Sequence, residues 1–177
     1  MIRQLFFISA AALLLLGTTA FGGDDGRRNN RLSATLKPTE EVPALSSTGR
    51  GRFKVRIDEG AQTISFELSY AGLEAAPTQA HIHVGQRSVN GGISVFLCGP
   101  APAAQQPCPV PPATITGVLT PADIIGPVAQ GLDPATDAAN GFEELVRLLR
   151  SGVTYANVHS SKFPGGEIRG QIRPERH

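Results

Sequence analysis

Tryptophan is absent from this chain, and its one methionine is Met1. A soft, Met-rich groove that adapts to many partners is therefore excluded. Charge of one sign is missing as well: 16 Lys+Arg stand against 15 Asp+Glu, a net charge of +1. That balance offers no electrostatic case for nucleic acid or an anionic membrane surface. With 177 residues the chain suits one domain and is too short for a large multidomain enzyme. No tandem repeat is visible. No Ser-His-Asp order, Cys nucleophile pattern or phosphate-cradling loop stands out, and Asn90-Gly91-Gly92 shares only its glycines with the last. What is plentiful is Gly, at 20, and Pro, at 14, so turns are favoured over long helices.

Long apolar runs are limited to Leu5–Leu16, broken only by Ser9. A short basic start precedes it, and Gly17, Thr18, Thr19 and Ala20 follow. This is the layout of a secretory signal peptide over residues 1–22, cut near Ala20 or Gly22. A membrane anchor would need to span about 30 Å, for which the run is too short. Cleavage removes Arg3 and leaves the basic and acidic residues in balance. Residues 23–31 are charged and lack apolar side chains, the composition of a disordered lead-in. Export also bears on Cys98 and Cys108, which flank a Pro-rich loop. In an oxidising compartment such a pair reads as a disulfide, since a zinc knuckle or redox motif needs closer spacing or more ligands.

From residue 32 onward, period-2 alternation recurs. Leu32, Ala34 and Leu36 form one strand, halted by Pro38. Phe53, Val55 and Ile57 alternate with Arg52, Lys54 and Arg56, and after a turn at 58–61 Ile64, Phe66, Leu68 and Tyr70 complete a hairpin. Ala80, Ile82 and Val84 mark a further strand, and Ile93, Val95 and Leu97 another. Thr154, Ala156 and Val158 pair across Pro164-Gly165-Gly166 with a strand at Ile168, Gly170 and Ile172. Phe142, Leu145, Val146 and Leu149 fall at helical spacing, with Asn140 as the expected N-cap, Glu143 and Glu144 in the first turn and Gly152 at the end. Thr120-Pro121-Ala122-Asp123 reads as a shorter turn of helix. The expectation is all-β: an antiparallel Greek-key β-sandwich or partly closed barrel, with one helical insertion near 140–151.

Chemistry concentrates in the histidines. His81 and His83 project from the same strand face, opposite Ala80, Ile82 and Val84. His159 likewise lies opposite Thr154, Ala156 and Val158. If the two strands meet, three imidazoles converge, a donor set suited to copper or zinc and not to Ca²⁺ or Mg²⁺. The alternative is three hydrogen-bonded polar residues that order loops through Asn157 and Ser160. Arg169 and Glu167 share the His159/Tyr155 side. Either Arg169 guides an anion towards a metal, or the two form a cross-strand ion pair on a solvated face.

The segments LSATLKPTEEVPA, AHIHVGQRSVNGGISVFLC, ITGVLTPADI and YANVHSSKFPGGEIRGQI resemble the chordin-like (CHRD) domain. That resemblance implies an all-β extracellular domain over residues 32–174 and carries no firmly established activity. More distantly, the order of Ala71-Gly72-Leu73, His81-Ile82-His83, Val158-His159, then Gly165-Gly166 and Arg169 is similar to copper/zinc superoxide dismutases. By that resemblance His81, His83 and His159 match copper ligands and Arg169 the anion-guiding arginine, with Tyr155, Asn157 and Glu167 beside them. The chain departs from it: no His lies between His83 and His159, so no bridging ligand is available. The expected function is a secreted binding module, more plausibly not an enzyme, that takes copper or zinc or an extracellular protein partner. It needs neither nucleic acid nor, after cleavage, a membrane. The alternatives are a dismutase-like redox enzyme and a purely structural or adhesive module.

Overall fold

The computed structural model describes residues 29–175. The signal peptide expected at 1–22 and the first part of the expected lead-in lie outside them, as does His177. Nine strands are β1 (Arg31–Leu36), β2 (Arg50–Asp58), β3 (Thr63–Ala71), β4 (Pro77–Val84), β5 (Gly92–Cys98), β6 (Ala113–Leu119), β7 (Thr154–Ser160), β8 (Ile168–Gln171) and β9 (Arg173–Pro174). Among the described residues one α-helix, α1, spans Ala138–Arg150. All strand pairings are antiparallel, in a first sheet of order β6-β3-β2-β1-β9 and a second of order β5-β4-β7-β8. After β6 the chain returns through α1 to lay β7 beside β4, which gives the sandwich its Greek-key crossing. The barrel is not closed. A lone bridge between Lys37 and Arg169 pins the sheets along one side, and among the described residues no strand pairing joins the other.

The alternation seen in the sequence builds the first sheet directly. Phe53, Leu68, Leu32 and Leu36 are fully buried on its inner face, while Arg52, Lys54 and Arg56 face solvent. Each such apolar side chain contributes roughly 1.5–3 kcal/mol by leaving water. The second sheet supplies Ala80, Ile82, Ala156, Val158 and Ile168 to the same core.

Three expectations shift at the boundaries. Arg31, assigned to the lead-in, opens β1 opposite Arg56, and Asn30 accepts a hydrogen bond from the Ile57 amide. The helix starts earlier than Asn140. Asp137 is its N-cap and accepts from the Ala139 and Asn140 amides, so Glu143 and Glu144 fall beyond the first turn. Strands β6 and β9 add to those expected. The helix buries Phe142, Leu145, Val146 and Leu149, the predicted stripe. Pro121–Asp123 is one turn of 3₁₀ helix, started by Pro121.

Cys98 and Cys108 are joined in a disulfide, with Cα atoms 5.0 Å apart, closing the loop that leaves β5. Such a bond fits an oxidising compartment. No helix among the described residues is long and apolar enough to cross a membrane.

Candidate metal centre

Strands β4 and β7 pair with His83 opposite Tyr155, His81 opposite Asn157 and Gln79 opposite His159. Side chains at alternate positions of both strands therefore line the face turned away from the core. Register irregularities between β4 and β5 fall on either side of His81 and Ile82. Such bulges re-aim side chains locally. His81, His83 and His159 meet: one nitrogen from each lies within 4.8 Å of the others. His81 is fully buried, and His83 and His159 are each 7% exposed.

Hydrogen bonds fix the tautomers of two rings. His83 Nδ1 lies 3.0 Å from the Gly91 carbonyl oxygen, and His159 Nδ1 lies 2.8 Å from that of Pro164. A carbonyl only accepts, so both Nδ1 atoms carry the proton and both Nε2 atoms present a lone pair. His81 Nδ1 is 3.2 Å from His159 Nε2 and is the donor in that contact. The Nε2 atoms of His81 and His83 are buried without any partner. Native interiors seldom leave such atoms unpaired, so orphans in one cluster mark a place for a ligand.

Burial keeps the imidazoles neutral. It is the main cause that pushes His81 down to about 3, with repulsion from His159 and His83 adding to it. It also pushes His83 down to about 4, against the opposing pull of the Gly91 carbonyl. His159 is lowered too, chiefly by burial. Neutral imidazole is the metal-ligating form.

Tyr155 stacks on His83, ring centroids 4.6 Å apart and planes within 4°. Because β7 lies between β4 and β8, Arg169 covers the opposite face of the phenol, its Cζ 3.4 Å from the centroid. Arg169 is 2% exposed and donates to Asn90 Oδ1 and to the carbonyls of Gln86 and Val89. It does not pair with Glu167, and neither residue sits on a solvated face. The Glu167 Oε1 accepts instead from Ser47 Oγ at 2.6 Å and the Glu74 amide at 2.8 Å. Asn157 donates to Glu41 Oε1 at 2.6 Å and leaves the imidazoles untouched.

Several residues here escaped sequence reasoning. The Gly91 amide donates to Tyr155 Oη while its carbonyl holds His83, so one glycine positions both rings. A Cβ at Gly91 would lie 1.6 Å from the Val84 carbonyl oxygen, which leaves room only for glycine. Pro164 holds His159, so the two Gly-rich turns each lend a carbonyl to one imidazole. Phe96 packs edge-on against His81 at 4.4 Å between centroids. Glu41 arrives from the loop after β1, and nothing in its local sequence signals that visit.

Within the described residues this is the cluster of His, Cys, Asp or Glu able to hold a metal ion. Comparison with curated proteins finds no match. The profile of the CHRD domain, by contrast, matches residues 32–172, which take in all three histidines, the disulfide and every strand from Leu32 to β8. The chain belongs to the CHRD domain family.

Proposed function

We propose that this CHRD domain is an exported binding module that holds one copper or zinc ion through His81, His83 and His159. The observation that carries this reading is the buried convergence of three neutral imidazoles, two of them oriented by backbone carbonyls. Three nitrogen donors suit copper and zinc, and an N–H donated outward to a carbonyl is the usual way a protein aims a ligating histidine. A bound cation would be held by one nitrogen from each ring, and His81 would ligate either through its unprotonated Nε2 or through Nδ1 after passing that proton to Nε2. Arg169 acts as a positioning residue: three of its N–H groups hold the 86–90 loop, and that loop continues into Gly91. Secretion is supported by the leader-like start of the sequence and by the disulfide. An extracellular protein would be the partner of such a module.

The test is metal analysis of untagged protein equilibrated with Cu²⁺ or Zn²⁺ and then desalted. Near-stoichiometric retention is expected, abolished in His81→Ala and His83→Ala. Folded native protein that retains far less than one ion per chain overturns the reading. A dismutase activity is not part of it, because no residue replaces the bridging histidine. Superoxide consumption by the copper-loaded protein should be no faster than by free copper.

A further inference from the structure

The near-neutral total conceals a segregation of charge. Between Ser88 and Val146 there is no Lys or Arg, yet Asp123, Asp133, Asp137, Glu143 and Glu144 all fall there. The cations gather on the outer face of the first sheet. Along β2, Arg50, Arg52, Lys54 and Arg56 occupy alternate, exposed positions. Arg31 joins them from β1, directly opposite Arg56. Against them stand Glu67, which pairs with Lys54 at 3.2 Å, and Asp58 and Glu175 at one end of the strip. Arg31, Arg50, Arg52 and Arg56 have no carboxylate partner among the described residues. Two like charges facing each other across a strand pair are destabilising, and among the described residues no carboxylate is paired with either Arg31 or Arg56.

From this face we infer a docking surface for a linear anionic polysaccharide, recognised by its repeating carboxylates or sulfates. Alternate residues of a strand lie about 7 Å apart, so the four cations of β2 form a straight row roughly 20 Å long. Hydroxyls flank the row: Thr35 beside Arg52 on β1, and Ser65 and Ser69 on β3. Two shallow depressions, of about 660 and 640 Å³, follow one another along it, the first at Arg50 and Arg52, the second at Lys54 and Arg56. Charge in a line with hydroxyls alongside complements a sugar polymer that carries anions in a line and hydroxyls alongside. A single-stranded nucleic acid needs aromatic platforms, and Phe53, Phe66 and Tyr70 all point into the core. Among the described residues Val118 is the one large hydrophobic residue exposed on this face, so an anionic bilayer would be held by charge alone, without the apolar insertion that strengthens such binding.

The full chain is titrated with a heparin oligosaccharide and with polygalacturonate, which separate sulfate from carboxylate recognition, and with neutral dextran. Binding of at least one anionic polymer at low salt, weakened by added salt, is expected. The triple variant Arg52→Ser, Lys54→Ser, Arg56→Ser should bind about 100-fold more weakly, a loss of about 2.8 kcal/mol. The double variant Arg52→Lys, Arg56→Lys should retain most of the affinity. Circular dichroism and metal content that match the native protein separate this loss from misfolding and from the histidine site. No binding above dextran, undiminished binding by the triple variant, or equal affinity for single-stranded DNA or anionic vesicles would overturn the inference.

Discussion

The two sheets obey one sequence pattern and end in opposite environments. In the first, apolar side chains face the core and the alternating polar ones face water, so β2 and β3 read buried, exposed, buried. In the second, β4 and β7 alternate just as clearly, yet every residue of β7 is buried. The difference is the roof. Loops carrying Glu41, Gly91 and Pro164 close over the outward face of the second sheet and bond to its polar side chains. A polar face that is roofed must be satisfied, since an unpaired buried group costs about 1–3 kcal/mol. The roof meets that need at Asn157 and Arg169 and leaves it unmet at His81 Nε2, His83 Nε2 and Glu167 Oε2. One sheet therefore supplies stability and an open surface, the other a buried site.

That division can be broken most forcefully from the first sheet. Phe53 is fully buried and packs against Phe66, ring centroids 6.3 Å apart. Phe53→Ala should lower the unfolding free energy by about 3–5 kcal/mol, through lost transfer energy and the cavity left behind. Urea denaturation measures it. If the sheets divide the work as described, folded molecules of the variant should retain added Cu²⁺ or Zn²⁺ to the same extent as the native protein in the same assay. Parallel loss of metal from folded molecules would show that the core of the first sheet also shapes the site.

The second sheet has a pH signature of its own. Burial pushes Glu41 up from 4.5 to about 7, only partly offset by the nearby Arg169 charge and the Asn157 hydrogen bond. The folded state thus binds a proton more tightly than the unfolded chain. The stabilisation from this group is complete below the ordinary value and is lost as pH rises through the folded one. Glu41→Gln keeps an acceptor for Asn157 and removes the titration. It should match the native protein near pH ~4 and exceed it by about 1–3 kcal/mol near pH ~8. Contributions from the histidines cancel in the difference between the two curves. A variant that is weaker at every pH would mean that Glu41 is stabilised as an anion beside Arg169.

How much of this was legible follows from the same contrast. Strands of the first sheet announce themselves because a wet face and a dry face alternate locally. β6 does not, since Val118 sits exposed among Thr114 and Thr116 and Pro111-Pro112 precede the strand. Strand parity put His81 and His83 on one face and made the pairing of the last two long strands legible, but the meeting of β4 with β7 that brings His159 to them was only a condition in the sequence. The environment of Arg169 and Glu167 was not. Their partners Asn90, Val89, Ser47 and Glu74 lie far away in the chain, and strand parity cannot tell a solvated face from a roofed one. The helix start slipped because Asp137 and Asn140 are both good caps, and only Asp137 has the extended backbone that lets its side chain reach two free amides.

The smallest effect tests the open face. Arg31 and Arg56 face each other across β1 and β2, and among the described residues neither has a carboxylate partner. Arg31→Ser removes one charge of the pair at an exposed position and leaves the backbone ladder intact. The variant should gain about 0.2–1 kcal/mol at low ionic strength, by relief of cross-strand repulsion. The gain should shrink as salt screens the pair, because the Debye length falls from about 30 Å at 0.01 M to about 3 Å at 1 M. Urea denaturation at the two salt levels reads both effects. A gain at low salt accompanied by weaker polysaccharide binding means that the first sheet gives up stability to keep its row of cations. A loss of stability at low salt would mean instead that the Arg31 stem shields the sheet edge, and the repulsion would then count for little.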